Sequence, residues 1–298
     1  MYFDRRSFLK AAPLGILTSS TRIGKPILPG NPAVHKVPIK LSCNLYSFND
    51  QLTKGEMTLE EVFAFCSDLG FAAVDPTGYY FPNYPEVPSD NYIFEIKKKA
   101  FRLGLDISGT GIRTDLANAD PTRRAADVEL VRKWVEVAAK MDAPVLRVFA
   151  GKTVPAEQTQ PALDRAVESL RKCVGFGEKA GVMIVVQNHN ELLKTVEQVL
   201  YIREKIPSEW LGINLDIGSL RAGDPYEEIA KLAPYAYTWQ IKASVYRQGV
   251  EEKTDAKKIV KILRDADYRG YIPVETLKSD PRIQLPLFLE EIRTALQG

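Results

Sequence analysis

The stretch that most constrains the fold is Val182-Met-Ile-Val-Val-Gln-Asn-His189, an apolar run rich in β-branched residues that ends abruptly in three polar side chains. Such a run reads as a strand buried on both faces, with its C-terminal tip carrying chemistry. The pattern returns in Leu211-Gly-Ile-Asn-Leu-Asp216, Ala236-Tyr-Thr-Trp-Gln-Ile-Lys242 and Tyr271-Ile-Pro-Val-Glu275. Gln187, Asp216, Gln240 and Glu275 therefore stand one to a strand end. In a parallel β/α barrel such ends converge on one C-terminal mouth.

Upstream, the spacing predicts strands at 39–46, 71–75, 105–109 and 144–149, each followed by a helical pattern. Thr58-Leu-Glu-Glu61 has the form of a capping box, and Pro121 suits the first turn of a helix running to Met141. Val128, Val131, Val135 and Ala138, and then Leu163, Val167, Leu170 and Val174, recur at helical spacing and read as core. Eight strand–helix units in about 260 residues predict an α/β fold, a (β/α)8 TIM barrel over 38–298.

Residues 1–37 differ in kind. Asp4-Arg-Arg-Ser-Phe-Leu-Lys10 followed by a short apolar run resembles a twin-arginine export signal, and 18–38 reads as a linker. The apolar run is too short for a membrane span. An exported, periplasmic location is expected, with a basic disordered tail as the bland alternative. This segment holds six Lys or Arg against Asp4 alone; the whole chain has 40 basic and 38 acidic residues, so the remainder has 34 and 37, a net −3. A mildly acidic body is a poor match for a phosphate backbone, so nucleic acid is not an expected partner. Cys43, Cys66 and Cys173 are scattered and odd in number, which suits buried thiols rather than a disulfide framework or zinc site.

The strand tips resemble those of the xylose isomerase-like barrel superfamily, which includes sugar epimerases and inosose dehydratases; the resemblance spans roughly 40–298. In that family the tips after strands five to eight read Glu-Asn-His, Asp-x-Gly-His, His-x-Lys and Glu, and supply a Glu, Asp, His, Glu shell for a divalent cation. Here they read Gln187-Asn-His189, Asp216-Ile-Gly-Ser219, Gln240-Ile-Lys242 and Glu275. The resemblance implies a metal set of Gln187, Asp216, Gln240 and Glu275, able to hold a hard cation (Mn²⁺, Mg²⁺ or Ca²⁺) through carboxylate and amide oxygens but ill suited to zinc. With Gln187 in place of the first Glu, one of two proton carriers is lost, which leaves one-base chemistry through Glu275.

Lys242 and His189 complete the candidate catalytic set. Lys242 reads as a ligand for a substrate oxygen or as a solvated lysine; His189 as a substrate hydrogen bond, a proton relay or a structural histidine. Candidate substrate-binding residues are Asn44 and Tyr46, sharing a face of the first strand, Arg147 within the fourth, and Tyr79 and Tyr80 in an aromatic, proline-rich exit loop that also holds Phe81 and Tyr84. A buried Arg147 needs a polar partner, and Asp75, Glu275 or a substrate carboxylate are the candidates. There is no Gly-rich phosphate loop, nucleophile elbow or HExxH, and two histidines in total cannot build the three-metal site of the superfamily's apurinic endonucleases.

The expected activity is isomerisation or epimerisation of a sugar or keto-sugar by proton abstraction beside a carbonyl. β-Elimination on 3-keto-glycosides and a non-catalytic carbohydrate-binding barrel are the alternatives. A small-molecule sugar is the expected partner, and a homodimer the expected form of any self-association.

Overall fold

A computed structural model describes residues 39–278 and 280–298; the expected export signal and linker lie outside the described residues. Strands β1 (Lys40–Asn44), β2 (Ala73–Asp75), β3 (Asp106–Ile107), β4 (Thr110–Gly111), β5 (Val145–Phe149), β6 (Met183–Gln187), β7 (Leu211–Asp216) and β8 (Ala236–Lys242) are followed by the hairpin β9 (Ser244–Arg247) and β10 (Val250–Lys253), and then by β11 (Tyr271–Glu275). In the large sheet the order is β3-β2-β1-β11-β8-β7-β6-β5-β4, with every pairing parallel. β3 and β4 are separated only by Ser108 and Gly109, so they are two halves of one barrel strand. The first half pairs with β2 and the second with β5, and a Thr77–Gly111 bridge spans the break. The result is a nearly closed (β/α)8 barrel.

The predicted third strand is interrupted because Ser108 turns its hydroxyl to Ser42 Oγ (2.6 Å) and the Val74 carbonyl (3.2 Å). The first strand likewise stops early. The Asn44 side chain accepts the Tyr46 backbone N–H at 2.9 Å and turns the chain into a short 3-10 helix, Leu45–Phe48. Asn44 and Tyr46 therefore do not share a strand face.

Helices α1 (Asn49–Thr53), α2 (Leu59–Asp68), α3 (Asp90–Arg102), α4 (Pro121–Lys140), α5 (Thr159–Ala180), α6 (Val196–Lys205), α7 (Pro225–Leu232), α8 (Ala256–Asp265) and α9 (Pro281–Gln297) fill the connections. Local chemistry sets their ends. Thr58 and Glu61 form a reciprocal capping box on α2, Asp120 caps α4 ahead of Pro121, and Gly181 ends α5 in the left-handed conformation. The α4 and α5 stripes pack inward, with Val131, Val135, Ala138, Leu163 and Leu170 buried. All three cysteines are buried and free. Among the described residues no helix is long and apolar enough to cross a membrane.

The hairpin is an addition to the predicted barrel. Its strands are joined by Gln248-Gly249, both at positive φ as a tight two-residue hairpin turn requires. It stands directly after β8, so it walls the mouth beside Lys242.

Candidate active site

Strand register determines which tips meet. Asp216 pairs with Gln240 across β7 and β8, and Lys242 pairs with Glu275 across β8 and β11. Two residues apart on one strand, Gln240 and Lys242 face the same way. The outcome is a buried cluster of five side chains. Asp216 is fully buried, and its Oδ2 accepts from Gln187 Nε2 (2.8 Å), Ser219 Oγ (2.8 Å) and Lys242 Nζ (2.9 Å), while Oδ1 accepts from the Gly218 N–H (3.0 Å). Glu275, 1% exposed, has its Oε1 3.2 Å from Lys242 Nζ and accepts on Oε2 from Gln240 Nε2. Asn188 brackets the backbone of Asp216, donating to its carbonyl and accepting its N–H, each at 2.8 Å.

The electrostatics follow from burial opposed by pairing. Burial alone would raise Asp216, but the Lys242 ammonium and the hydrogen bonds hold it below the ordinary aspartate value. For Glu275 burial wins, and the carboxyl is raised above its usual range despite Lys242 and Arg147. Burial acts to lower Lys242, yet the two carboxylates hold it well above an ordinary lysine, so it stays an ammonium. His189 is lowered, chiefly by burial, and is neutral at pH 7.

Arg147 is buried on β5 with its guanidinium flat against Gly111, where an added Cβ would lie 2.5 Å from Nη2. It donates from Nη1 to Gln187 Oε1 (3.0 Å) and from Nη2 to Thr77 Oγ1 (3.4 Å). None of the partners anticipated from sequence is its hydrogen-bond acceptor, although Asp75 and Glu275 are near enough to favour its charge. Its Nε has no partner among the described residues.

The cluster opens into a two-lobed cleft. One lobe, about 560 Å³, is walled by Tyr46, Tyr79, Tyr84 and Phe149; the other, about 300 Å³, by Arg221, Ser244 and Tyr246. His189, Lys242, Glu275 and Leu277 border both. These volumes lie in the range of small-molecule sites. Of the aromatic loop, Tyr79 and Tyr84 meet edge to face at 5.4 Å, and the buried Tyr79 hydroxyl has no partner among the described residues. Tyr80 is set back, donating to Asn49 at 3.1 Å, and Phe81 packs into the core against Tyr92 and Trp134. Asn44 is a buried brace: it caps the Tyr46 turn and donates to Asp75 at 3.1 Å.

Three participants escaped the sequence reading. Glu191 accepts from Arg113 at 2.5 Å and meets His189 Nδ1 at 3.2 Å, so it orients the imidazole. Arg113 lies over Phe149 (4.5 Å), and His189 meets that ring edge to face (5.2 Å). Strand exits are the natural place to look for such groups, but only the fold brings the loops after β4 and β6 together.

The four side chains expected to hold a divalent cation do meet, but as a closed hydrogen-bonded set. Arg147 can only donate, so the oxygen of Gln187 must face it and the amide N–H₂ must face Asp216. Gln240 accepts from Asn214 Nδ2 at 3.1 Å and turns its N–H₂ to Glu275. A cation needs oxygens pointing inward, and here both amides present hydrogens to the carboxylates. This donor set does not fit the expected Mn²⁺, Mg²⁺ or Ca²⁺, and no group of three or more His, Cys, Asp or Glu able to hold a metal occurs among the described residues.

The family described as xylose isomerase-like TIM barrel matches residues 63–294. No curated protein sequence matches the chain. Among solved structures, D-psicose 3-epimerase with D-tagatose from Clostridium cellulolyticum H10 aligns at 16% identity and a TM-score of 0.68, covering 87% of this chain and 97% of its own. The apo form of an E. coli 3-keto-D-glucoside 4-epimerase aligns at 15% identity and 0.69, covering 86% and 100%. A xylose isomerase-like TIM barrel protein from Mycobacterium smegmatis, solved in complex with magnesium, aligns at 17% identity and 0.65, covering 88% and 99%. At such identities the likeness is one of fold.

Proposed function

The chain belongs to the xylose isomerase-like TIM barrel family, and from that premise we propose that it is an enzyme that removes a proton beside the carbonyl of a sugar or keto-sugar, with Glu275 as the base. The observation that carries this reading is the position of Glu275. It is a buried carboxylate with a raised pKa, bordering both lobes of the cleft and touching a permanent ammonium. A carboxylate desolvated in this way is a stronger base than one in water.

The proton leaves carbon for a Glu275 oxygen, and the electron pair moves onto the carbonyl oxygen. The Lys242 ammonium and the Arg147 guanidinium supply fixed positive charge near the site of that developing oxyanion. Lys242 remains charged throughout, so its role is electrostatic. Return of the proton from Glu275 to the neighbouring carbon, with that carbon's hydroxyl proton passing to the former carbonyl oxygen, would give isomerisation; delivery of a solvent proton to the opposite face of the first carbon, with Glu275 giving its proton back to water, would give epimerisation. Neutral His189, oriented by Glu191, hydrogen-bonds a substrate hydroxyl.

The two-lobed cleft favours a second reading, β-elimination on a 3-keto-glycoside. The proton is taken from C2, the enolate forms at C3, and its electrons expel the C1 glycosidic oxygen. Protonated Glu275 is then the acid that neutralises the leaving alkoxide. Lobes on both sides of Glu275 suit a substrate with a group on each side of the bond that breaks. Glu275, the one carboxylate lining the cleft among the described residues, is sufficient here, whereas epimerisation benefits from carriers on two faces. Export by the twin-arginine route, from Arg5 and Arg6, is part of this proposal and fits free or glycosidic sugars better than sugar phosphates.

The test is a panel of ketoses, 3-keto-glucose and 3-keto-glucosides assayed with wild type and Glu275→Gln. Turnover is expected to fall by about 10²–10⁴-fold in the variant, the usual contribution of a positioned acid/base. Exchange of the C2 proton with deuterated solvent and release of aglycone separate epimerisation from elimination. Tight sugar binding with no conversion across the panel would instead identify a binding barrel.

A further inference from the structure

The feature at the mouth that the reaction does not require is how completely Lys242 occupies the space between the two carboxylates. Its Nζ is 2.9 Å from Asp216 and 3.2 Å from Glu275, and both partners are buried. The stem that carries it there runs over Gly218, where an added Cβ would lie 2.7 Å from Lys242 Cδ. The backbone is thus shaped to admit this side chain. Ser219 caps the same oxygen of Asp216 that Lys242 and Gln187 hold. Charge is balanced as well: Asp216 and Glu275 carry two negatives against Lys242 and Arg147. A divalent ion added to this set would leave two uncompensated positive charges in a buried site.

We infer that the Lys242 ammonium stands in the place of a metal ion, locking Asp216 to Glu275 and making the site independent of divalent cations. The inference concerns the cluster on which the proposed reaction also rests, but its test reads metal binding and not turnover, so either can fail alone.

The experiment uses the purified chain, stripped with EDTA and dialysed, then titrated with MnCl₂ while free Mn²⁺ is followed by electron paramagnetic resonance and thermal unfolding is recorded in parallel. Wild type is expected to bind no Mn²⁺ at sub-millimolar concentrations and to keep its Tm on addition of metal. Lys242→Ala, which vacates the position between the carboxylates and leaves room for a cation held by Asp216 and Glu275 with water completing its shell, is expected to gain about one equivalent and to rise in Tm with Mn²⁺. Binding of one equivalent by wild type, lost in Asp216→Asn, would overturn the inference. So would a folded Lys242→Ala protein that gains nothing. Should Lys242→Ala fail to fold, the wild-type titration decides alone.

Discussion

Where β6, β7, β8 and β11 end, Gln187, Asp216, Gln240, Lys242 and Glu275 are each hydrogen-bonded to another of the five. Across the mouth, where β1, β2 and β5 end, the wall is aromatic, and the Tyr79 hydroxyl and Arg147 Nε have no partner among the described residues. The first side is preorganised, since groups that must stabilise developing charge lose little when they need not rearrange. The second keeps polar groups uncommitted beside large flat surfaces, which is how a site recognises a ring bearing hydroxyls. Chemistry and recognition thereby fall mainly to opposite halves of one barrel, joined by the Arg147–Gln187 hydrogen bond.

The largest effect is expected on the chemical side. Lys242→Met leaves two buried carboxylates without their shared cation, and breaking a buried pair in this way costs about 3–5 kcal/mol. Urea unfolding of the variant beside wild type measures it, and a loss under about 1 kcal/mol would mean that the ammonium is not holding the cluster.

The pH dependence is next. A base must be ionised to act, and burial raises Glu275 above its ordinary 4.5. The rate should therefore fall as pH drops through that raised value, at about tenfold per pH unit below it. Lys242 opposes the rise, so Lys242→Met should move the acid limb of kcat/KM to higher pH. A wild-type limb at or below 4.5 would point to a different base. Stability runs by the same signs. Asp216, held below 3.8, stabilises the fold at neutral pH and loses that contribution as pH falls through its folded value; Glu275 does the reverse.

On the recognition side the effects should be smaller and confined to binding. Tyr79→Phe removes one buried hydroxyl without disturbing the ring contacts. A net hydrogen bond of about 1 kcal/mol predicts a roughly fivefold rise in KM with kcat unchanged. A fall in kcat instead would erase the division between the halves. The smallest effect is expected for Glu191→Gln, a partly exposed partner of Arg113 and His189, at about 0–1 kcal/mol in stability. Its signature should be a change in substrate affinity through a less well oriented His189.

Much of this was legible in the chain. The apolar runs ending in Gln187, Asp216, Lys242 and Glu275 located four strand tips, because strand periodicity and a polar stop are local properties. The cap at Thr58 and the helix start at Pro121 were legible for the same reason. The hairpin after β8 is not marked by alternation: Ser244–Arg247 and Val250–Lys253 lack a period-2 pattern, and Gly249 is the one turn signal between them. The pattern puts Asn44 and Tyr46 on one strand face, but the Asn44 side-chain cap turns the chain before Tyr46, a competition between local hydrogen bonds that pattern alone does not resolve.

What the sequence determined by itself is therefore the barrel, the strand ends at Gln187, Asp216, Lys242 and Glu275, and the substitutions Gln187 and Gln240 at the family's metal positions. What only the tertiary structure decided is the meaning of those substitutions. An amide can present either oxygen or hydrogen to its neighbour, and which it presents depends on what lies behind it. Behind Gln187 lies Arg147, 40 residues earlier in the chain, and behind Gln240 lies Asn214 on the next strand. Arg147 can only donate, so it turns the Gln187 amide N–H₂ toward Asp216, and the space between Asp216 and Glu275 is taken by the ammonium of Lys242.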